Sequence, residues 1–184
     1  MKYAIIILFI VSLSGCNYAK EEKAPVKTDA PVHITKQEVK TAEASTPLID
    51  KTDNRINNIK LAAKAIDGYL LPQGETFSFN NVVGKRTEEK GYKMASVLLH
   101  KEKTEDFGGG VCQVSTTLFQ AAKEAGLEII ERHSHEKEIA YAKQGEDAAV
   151  DYNSLDLKFK NNTENEITIF VNANEDNVYV KLQY

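Results

Sequence analysis

The chain has two cysteines, Cys16 and Cys112, and this number limits how the protein can be held together. Two cysteines form at most one disulfide, so the disulfide framework of a small secreted domain is excluded. The fold must therefore rest on a packed apolar core. From Asn54 to Tyr184 there are 131 residues, which is enough for one domain with such a core.

The amino terminus reads MKYAIIILFIVSLSGC and has the pattern of an export signal. Lys2 precedes an apolar run from Ala4 to Leu13, which is too short to span a bilayer. The LSGC tetrapeptide that ends at Cys16 resembles the lipobox of bacterial lipoproteins. This resemblance implies that residues 1–15 are a signal peptide, that Cys16 is lipidated, and that the protein is anchored to the outer face of the cell membrane. The alternative is a secreted protein in which this cysteine occurs by chance.

Residues 16–53 are predicted to form the lipidated cysteine and a flexible tether. They are rich in charged residues, Thr, Ala and Pro and show no large apolar period, so they cannot bury enough surface to fold.

Removal of the predicted signal peptide takes away Lys2, so 22 of the 23 basic residues remain against 27 acidic ones, which gives a net charge of −5. This balance provides no basic patch for nucleic acid, and membrane attachment must come from the lipid.

The apolar spacing of residues 54–184 predicts an α+β domain, with helices first and a mostly antiparallel sheet after them. Ile56, Ile59, Ala63 and Ile66 recur at helical spacing. Short strands are predicted at 94–99, 127–133, 138–141, 148–152, 155–160, 166–172 and 177–184. The last two alternate around a turn, which is the signal of a β-hairpin.

The stretch GGGVCQVSTTLF, residues 108–119, places Cys112 after three glycines and at the start of a central helix. Unpaired N–H groups and the helix dipole favour an anion there, so a thiolate has a depressed pKa and is reactive. Glycines such as Gly109 and Gly110 would let a substrate backbone approach closely. The Gln113 amide, with nearby backbone N–H groups, would bind an oxyanion. Ser115 shares a helical side with Cys112 and belongs to the predicted substrate-binding set.

A cysteine nucleophile needs a base, and the segment RHSH ends the strand predicted after the helix. His133 and His135 are both candidates, and the sequence does not choose between them. Asp147 and Asp151 follow and are candidates to orient an imidazole.

Other assignments of these residues remain open at this stage. Arg86 and Arg132 are candidate carboxylate binders, although salt-bridged arginines are more common. Cys112 is alternatively a small buried core residue, since unpaired cysteines are often buried. A zinc set of Cys112, His133 and His135 is a further alternative, but no CxxC or HExxH spacing accompanies it.

Residues 71–162 resemble the VanW family. The matching segments, in the family order, are LPQGETFSFNNVVGKRTEEKGY, GGGVCQVSTTLFQAA, GLEIIERHSH and GEDAAVDYNSLDLKFKNN. The family takes its name from accessory proteins encoded with vancomycin-type resistance, and some members are thought to act as L,D-transpeptidases. The resemblance places the family cysteine on Cys112, its histidine motif on His133 and His135, and the aspartate of its G-x-D-A motif on Asp147.

The residues and the resemblance together predict a cysteine acyltransferase that makes 3→3 cross-links between peptidoglycan stem peptides. The same site would be an L,D-carboxypeptidase if water replaced the attacking amine. No motif implies a cofactor or a metal, and the expected partners are stem peptides and the membrane. The alternative is a non-catalytic module that binds stem peptides, or an accessory protein.

Overall fold

The structure is a computed structural model and describes residues 39–99 and 102–184. The predicted signal peptide, Cys16 and the tether as far as residue 38 lie outside the described residues. In chain order the elements are β1 (Thr41–Pro47), α1 (Asp53–Ile66), β2 (Tyr69–Leu71), β3 (Thr76–Ser78), α2 (Phe79–Val83), a 3-10 turn (Glu88–Lys90), β4 (Met94–Leu99), β5 (Glu102–Phe107), α3 (Val111–Glu124), β6 (Glu128–Glu131), β7 (Lys158–Lys160), β8 (Ile167–Ala173) and β9 (Asn177–Gln183). Within these ranges, none of the helices has both the length and the apolar character needed to cross a membrane.

The larger sheet has four antiparallel strands in the order β1-β9-β8-β2. β8 and β9 form the predicted hairpin, in which Val171 lies opposite Val180. Alternate residues of both strands are buried, as the period of a strand with one covered face requires. They are Ile167, Ile169, Val171, Val178, Val180 and Leu182. The sheet therefore offers one apolar face to the helices.

Two helices cover this face, and α3 is the central one. α1 packs against β8, while α3 packs against β1 and β9 and also contacts α1. Ten of the 14 residues of α3 are buried, so the helix is enclosed on most sides. Cys112 is the second residue of α3, and the prediction that it lies at the start of a central helix is confirmed.

A smaller sheet, β3-β7-β6, positions the segment that carries the histidines. Its core is the stacked pair Phe77 and Phe159, with ring centroids 4.9 Å apart and planes at 17°. β6 ends at Glu131, and the chain then makes only an isolated bridge between His133 and Ala149. The bridge brings residues 145–149 alongside the histidine segment.

The α+β class is confirmed, but three details of the sequence prediction are wrong. The folded part begins with a strand and not with a helix, because β1 pairs with β9 along its whole length. Residues 41–47 therefore do not belong to a flexible tether. The inward residues of β1 and the loop after it are Ala42, Thr46 and Leu48, whose small or polar side chains do not give a recognisable apolar period. The segment predicted as a strand at 138–141 is a loop, and the segment at 148–152 makes only isolated bridges, at Ala149 and Asp151.

Candidate active site

The three glycines before Cys112 are packed against the protein itself. A Cβ on Gly109 would lie 2.5 Å from the carbonyl oxygen of Ala95 in β4. Gly110 has φ of 106°, and a Cβ there would lie 2.9 Å from Cγ of Arg55 in α1. The space beside Gly109 and Gly110 is therefore filled, and their predicted role in admitting a substrate backbone is corrected to one of close packing.

Cys112 is partly exposed at the first turn of α3. Its Sγ lies 3.4 Å from the carbonyl oxygen of Val150 and 3.5 Å from the Val150 nitrogen. Against the effect of burial, the neighbouring imidazole of His135 lowers the pKa of the thiol. Cys112 thus faces the 145–151 loop and the histidine segment, and it does not pack into the apolar core.

Asp147 fixes the orientation of His135. One carboxylate oxygen, Oδ2, accepts a hydrogen bond from the His135 backbone nitrogen at 2.6 Å and contacts Nδ1 of the ring at 2.7 Å. Both side chains are nearly buried, with 8% of His135 and 5% of Asp147 exposed. Because Nδ1 is held by the carboxylate, Nε2 is the ring nitrogen left for the Cys112 thiol. The three residues form a thiol–imidazole–carboxylate relay.

Arg132, which was predicted from the sequence to be a substrate binder, instead forms hydrogen bonds to Asp147 and anchors the relay. Its Nε donates to the Asp147 carbonyl oxygen at 2.5 Å, and its second guanidinium nitrogen donates to Asp147 Oδ1 at 2.8 Å. The guanidinium also lies over the Phe119 ring, 5.1 Å from its centroid. One edge of the planar Arg132 guanidinium therefore holds both the carbonyl oxygen and the carboxylate of Asp147.

His133 lies apart from this relay, although the sequence could not separate it from His135. Its Nε2 contacts Glu131 Oε1 at 3.0 Å, and 38% of its side chain is exposed. Glu131 also accepts hydrogen bonds from Lys158 Nζ and from the Asp156 backbone nitrogen. The bonds from Lys158 and His133 outweigh a small effect of burial and lower the pKa of Glu131 to about 2. The structure therefore brings His135, and not His133, to the thiol.

Gln113 and Ser115 are part of the scaffold and do not have the predicted contacts with substrate. The buried Gln113 amide donates to Thr46 Oγ1 at 3.2 Å and to the Pro47 carbonyl oxygen at 2.9 Å, so both of its hydrogens are used inside the fold. The Ser115 hydroxyl donates to the Ala148 carbonyl oxygen at 2.6 Å. Both residues attach neighbouring segments to α3: Gln113 holds the end of β1, and Ser115 holds the loop that carries Asp147.

The charges in the relay favour an ion pair. Burial disfavours the Cys112 thiolate, but the hydrogen bond and positive charge of His135, the Val150 backbone and the charge of Arg86 together lower the pKa of the thiol. Burial likewise opposes protonation of His135, yet Cys112 and Asp147 raise the pKa of its imidazole. Burial opposes ionisation of Asp147 as well, but His135 and then Arg132 lower the pKa of its carboxyl. These shifts favour a thiolate–imidazolium pair backed by a carboxylate, which would be the activated form of a cysteine nucleophile.

Two of the residues beside the relay were missed by sequence reasoning. The Tyr141 ring meets the His135 ring edge-on, with centroids 6.5 Å apart and planes at 89°. Burial raises the pKa of Tyr141, so its phenol stays protonated. Arg55 lies over the same tyrosine ring, 6.0 Å from its centroid. A tyrosine in a loop and an arginine on the polar side of a helical pattern resemble ordinary surface residues, so no signal in the sequence distinguishes them.

Among residues 39–99 and 102–184, no group of three or more His, Cys, Asp or Glu side chains is arranged to hold a metal ion.

An open depression of about 730 Å³ lies beside the carboxyl-terminal half of α3. Tyr141 lines it, but Cys112, His135 and Asp147 do not.

Comparison with known proteins assigns the chain to a family. Residues 54–183 match the family described as VanW like protein. The chain belongs to the VanW family. The uncharacterized protein YoaR of Bacillus subtilis (strain 168) is 43% identical over 136 residues, which are 74% of this chain and 44% of that protein. The vancomycin B-type resistance protein VanW of Enterococcus faecalis (strain ATCC 700802 / V583) is 34% identical over 131 residues, which are 68% of this chain and 48% of that protein.

This VanW-family chain therefore spans less than half the length of these two curated relatives. No solved structure gives a significant match to it. The match begins at residue 54, whereas the strand that closes the larger sheet lies before it, at 41–47. The folded unit is consequently longer at its amino end than the matched region.

Proposed function

We propose that this protein is a cysteine acyltransferase of the L,D-transpeptidase type, which acts on the stem peptides of peptidoglycan. The observation that carries the proposal is the Cys112–His135–Asp147 relay, in which the pKa of the thiol is lowered and that of the imidazole is raised. A structural cysteine needs neither an oriented imidazole nor a buried carboxylate behind it. The arrangement suits nucleophilic attack on an acyl carbon.

The reaction would proceed in two steps. The Cys112 thiolate forms a bond to the carbonyl carbon between the diamino acid and the terminal D-Ala of a tetrapeptide stem. The carbon–nitrogen bond then breaks, the His135 imidazolium gives its proton to the departing amine, and D-Ala leaves a thioester on Cys112. In the second step the side-chain amine of another stem attacks the thioester, neutral His135 takes its proton, and a 3→3 cross-link is released. Water in place of the amine gives L,D-carboxypeptidase activity.

Stabilisation of the oxyanion falls to the backbone, since the Gln113 side chain is engaged elsewhere. Within the described residues, the Cys112 backbone N–H has no hydrogen-bond acceptor, whereas the N–H groups of Val111 and Gln113 bond to Gly108 and Gly110. A backbone N–H of the nucleophile itself is a common oxyanion donor. The proposed tetrahedral intermediate would direct its oxygen to this group.

The cellular setting is part of the same proposal. A lipid on Cys16 and the segment that follows it would hold the domain at the outer face of the membrane, where wall precursors are cross-linked. The Enterococcus faecalis relative is named a vancomycin B-type resistance protein. Changing the ends of stem peptides would connect the proposed reaction to glycopeptide resistance.

The proposal is tested by incubating the full-length chain with purified disaccharide-tetrapeptide and separating the products by liquid chromatography and mass spectrometry. Wild type is expected to release D-Ala and to form 3→3 dimers. Cys112→Ala is expected to form neither, while Cys16→Ser, which leaves the relay intact, keeps the activity. Dimers or free D-Ala at wild-type levels from Cys112→Ala would contradict the proposal.

A second candidate function is binding of stem peptides without reaction. The observation in its favour is the 730 Å³ depression beside α3, which is lined by polar and charged residues such as Glu43, Gln120 and Lys123 and does not include Cys112. Binding at this place would survive Cys112→Ala and would be lost on Gln120→Ala. Calorimetry of both variants with the tetrapeptide, under conditions where no D-Ala is released, separates binding from catalysis.

A further inference from the structure

Two arginines that pack on the glycine segment before Cys112 carry buried N–H groups that nothing in the described structure satisfies. Arg55 Nε and Arg86 Nη2 are the buried side-chain nitrogens without a hydrogen-bond acceptor within residues 39–99 and 102–184. An unpaired donor on a charged group is costly to bury. Two such donors on arginines that pack against one glycine segment therefore point to a ligand that accepts hydrogen bonds from them.

The glycine segment explains how these arginines reach the front of α3. A Cβ on Gly108 would lie 2.8 Å from Cβ and Cγ of Arg86, and a Cβ on Gly110 would lie 2.9 Å from Cγ of Arg55. The missing side chains thus make room for two arginine stems, one at each end of the triplet. Cys112 follows two residues after Gly110, and the charge of Arg86 acts on its thiol.

The hydrogen-bond partners of the two arginines within the protein are neutral, and the charges of Asp151 and Asp156 act on Arg86 from a greater distance. Arg86 Nη1 donates to the Asn80 side-chain oxygen at 2.8 Å and its guanidinium lies over Phe79, 5.5 Å from the ring centroid. Arg55 donates to the Gln113 side-chain oxygen at 3.4 Å and lies over Tyr141. In the part of the chain that the structure describes, neither arginine forms an ion pair with Asp or Glu. Arg132, by contrast, is paired with Asp147.

We propose that Arg55 and Arg86 form a carboxylate subsite next to Cys112. A carboxylate accepts two or more N–H groups and matches the planar guanidinium fork. Tyr141 and Phe79 cover the faces of the two guanidinium groups, which leaves their edges for the ligand. The subsite selects an acyl donor whose carboxylate lies close to the carbonyl that the thiolate attacks.

This inference rests on the proposed function and makes it more specific. In the proposed reaction the carboxylate is that of the terminal D-Ala, the group that leaves with the amine. The site would therefore accept a peptide only at its last residue, and a stem ending in D-alaninamide would be a poor donor.

The test uses Cys112 itself as the reporter and requires no turnover. The full-length chain is alkylated with iodoacetate, which carries a carboxylate, and separately with neutral iodoacetamide, and mass spectrometry follows the peptide that contains Cys112. Both reagents need the thiolate, so the ratio of the two rates cancels any change in the thiol pKa. Arg55→Gln and Arg86→Gln are each expected to lower the iodoacetate-to-iodoacetamide ratio by roughly tenfold.

Matched controls isolate the subsite from general charge and from misfolding. Lys60→Gln removes an exposed positive charge from the same helix as Arg55 and is expected to leave the ratio unchanged. Arg86→Lys keeps the charge but loses the planar fork, and it replaces Arg86→Gln where that variant does not fold. Arg86→Lys is expected to lower the ratio by less than tenfold. An unchanged ratio in both folded Gln variants, or an equal fall in Lys60→Gln, would overturn the subsite. If the alkylation ratios overturn the subsite but the wild-type protein still forms a thioester with the tetrapeptide, the proposed function stands without the subsite.

Discussion

Replacement of His135 by asparagine tests whether the imidazole keeps Cys112 ionised. The His135 imidazole lowers the pKa of the thiol against the effect of burial, and its Nδ1 lies 2.7 Å from Asp147 Oδ2. The His135→Asn variant would keep the backbone N–H that donates to Asp147 at 2.6 Å but would lose the positive charge beside the sulfur. The loss of that charge raises the thiol pKa toward, or above, its ordinary range.

The magnitude follows from the ionised fraction of an ordinary thiol. With a pKa of about 8.5, only about 3% of a cysteine is thiolate at pH 7. His135→Asn is therefore expected to slow alkylation of Cys112 by iodoacetamide at pH 7 by roughly tenfold, and by about 30-fold if the wild-type thiol is fully ionised. At pH 10, where either thiol is ionised, the two rates should converge.

The assay is the rate of Cys112 alkylation from pH 5 to pH 10 in a Cys16→Ser background, so that one thiol reacts. His133→Asn is the matched control, because His133 bonds to Glu131 and should leave the profile of the rate against pH unchanged. A His135→Asn profile that coincides with wild type, or an equal displacement in His133→Asn, would refute the assignment of His135 as the partner of the thiol.

Three further predictions concern the scaffold of the site. Arg132→Gln removes both hydrogen bonds that Arg132 donates to Asp147 and leaves the buried carboxylate with less compensation. Chemical denaturation should therefore show a free energy of unfolding that is about 3 kcal/mol lower. A decrease below about 0.5 kcal/mol would contradict the anchoring role. Gly109→Ala places a Cβ 2.5 Å from a backbone oxygen of β4 and should lower the free energy of unfolding by about 3 kcal/mol. In the control Gly126→Ala the new Cβ meets no atom within 4 Å, but φ is 69°, so the free energy of unfolding should fall by about 1 kcal/mol. Equal losses in the two variants would show that the close packing at Gly109 is unimportant. The pKa of Glu131 is lowered to about 2 in the folded protein, so the stabilisation by its carboxylate is complete above the ordinary pKa and is lost as the pH falls from about 4.5 toward 2. Solvent screening reduces this stabilisation to about 1 kcal/mol. The difference in the free energy of unfolding by urea between pH 6 and pH 3 should be smaller for Glu131→Gln than for wild type.

The sequence supplied candidates for the members of the relay because these residues are chemically distinctive, and the family resemblance chose Asp147 over Asp151. Cys112 follows a glycine segment at the start of a helix, and His135 and Asp147 lie in short polar motifs after it. The choice between His133 and His135 required the structure, because it depends on which ring the 145–151 loop meets. The isolated bridge between His133 and Ala149, and not a regular strand, sets that contact.

The surroundings of the relay were misjudged for two physical reasons. The glycines were interpreted as space for a substrate, whereas they accommodate β4 and the stems of Arg55 and Arg86, which are contacts between residues distant in the chain. Polar residues such as Gln113 and Arg132 were assigned to the substrate because the sequence cannot show that the fold itself uses their hydrogen bonds. Similarly, β1 was missed because its inward positions include Ala42 and Thr46, which carry no strong apolar signal.

Acylation of Cys112 is the step on which the proposed function depends, and it is observed in the intact mass of the full-length chain after incubation with disaccharide-tetrapeptide. We expect a species heavier by the mass of the muropeptide minus D-Ala, present in wild type and in Cys16→Ser and absent in Cys112→Ala. His135→Asn should form it more slowly at pH 7. A folded wild-type protein that shows neither this adduct nor released D-Ala would contradict the acyltransferase and would leave stem-peptide binding as the function to be tested.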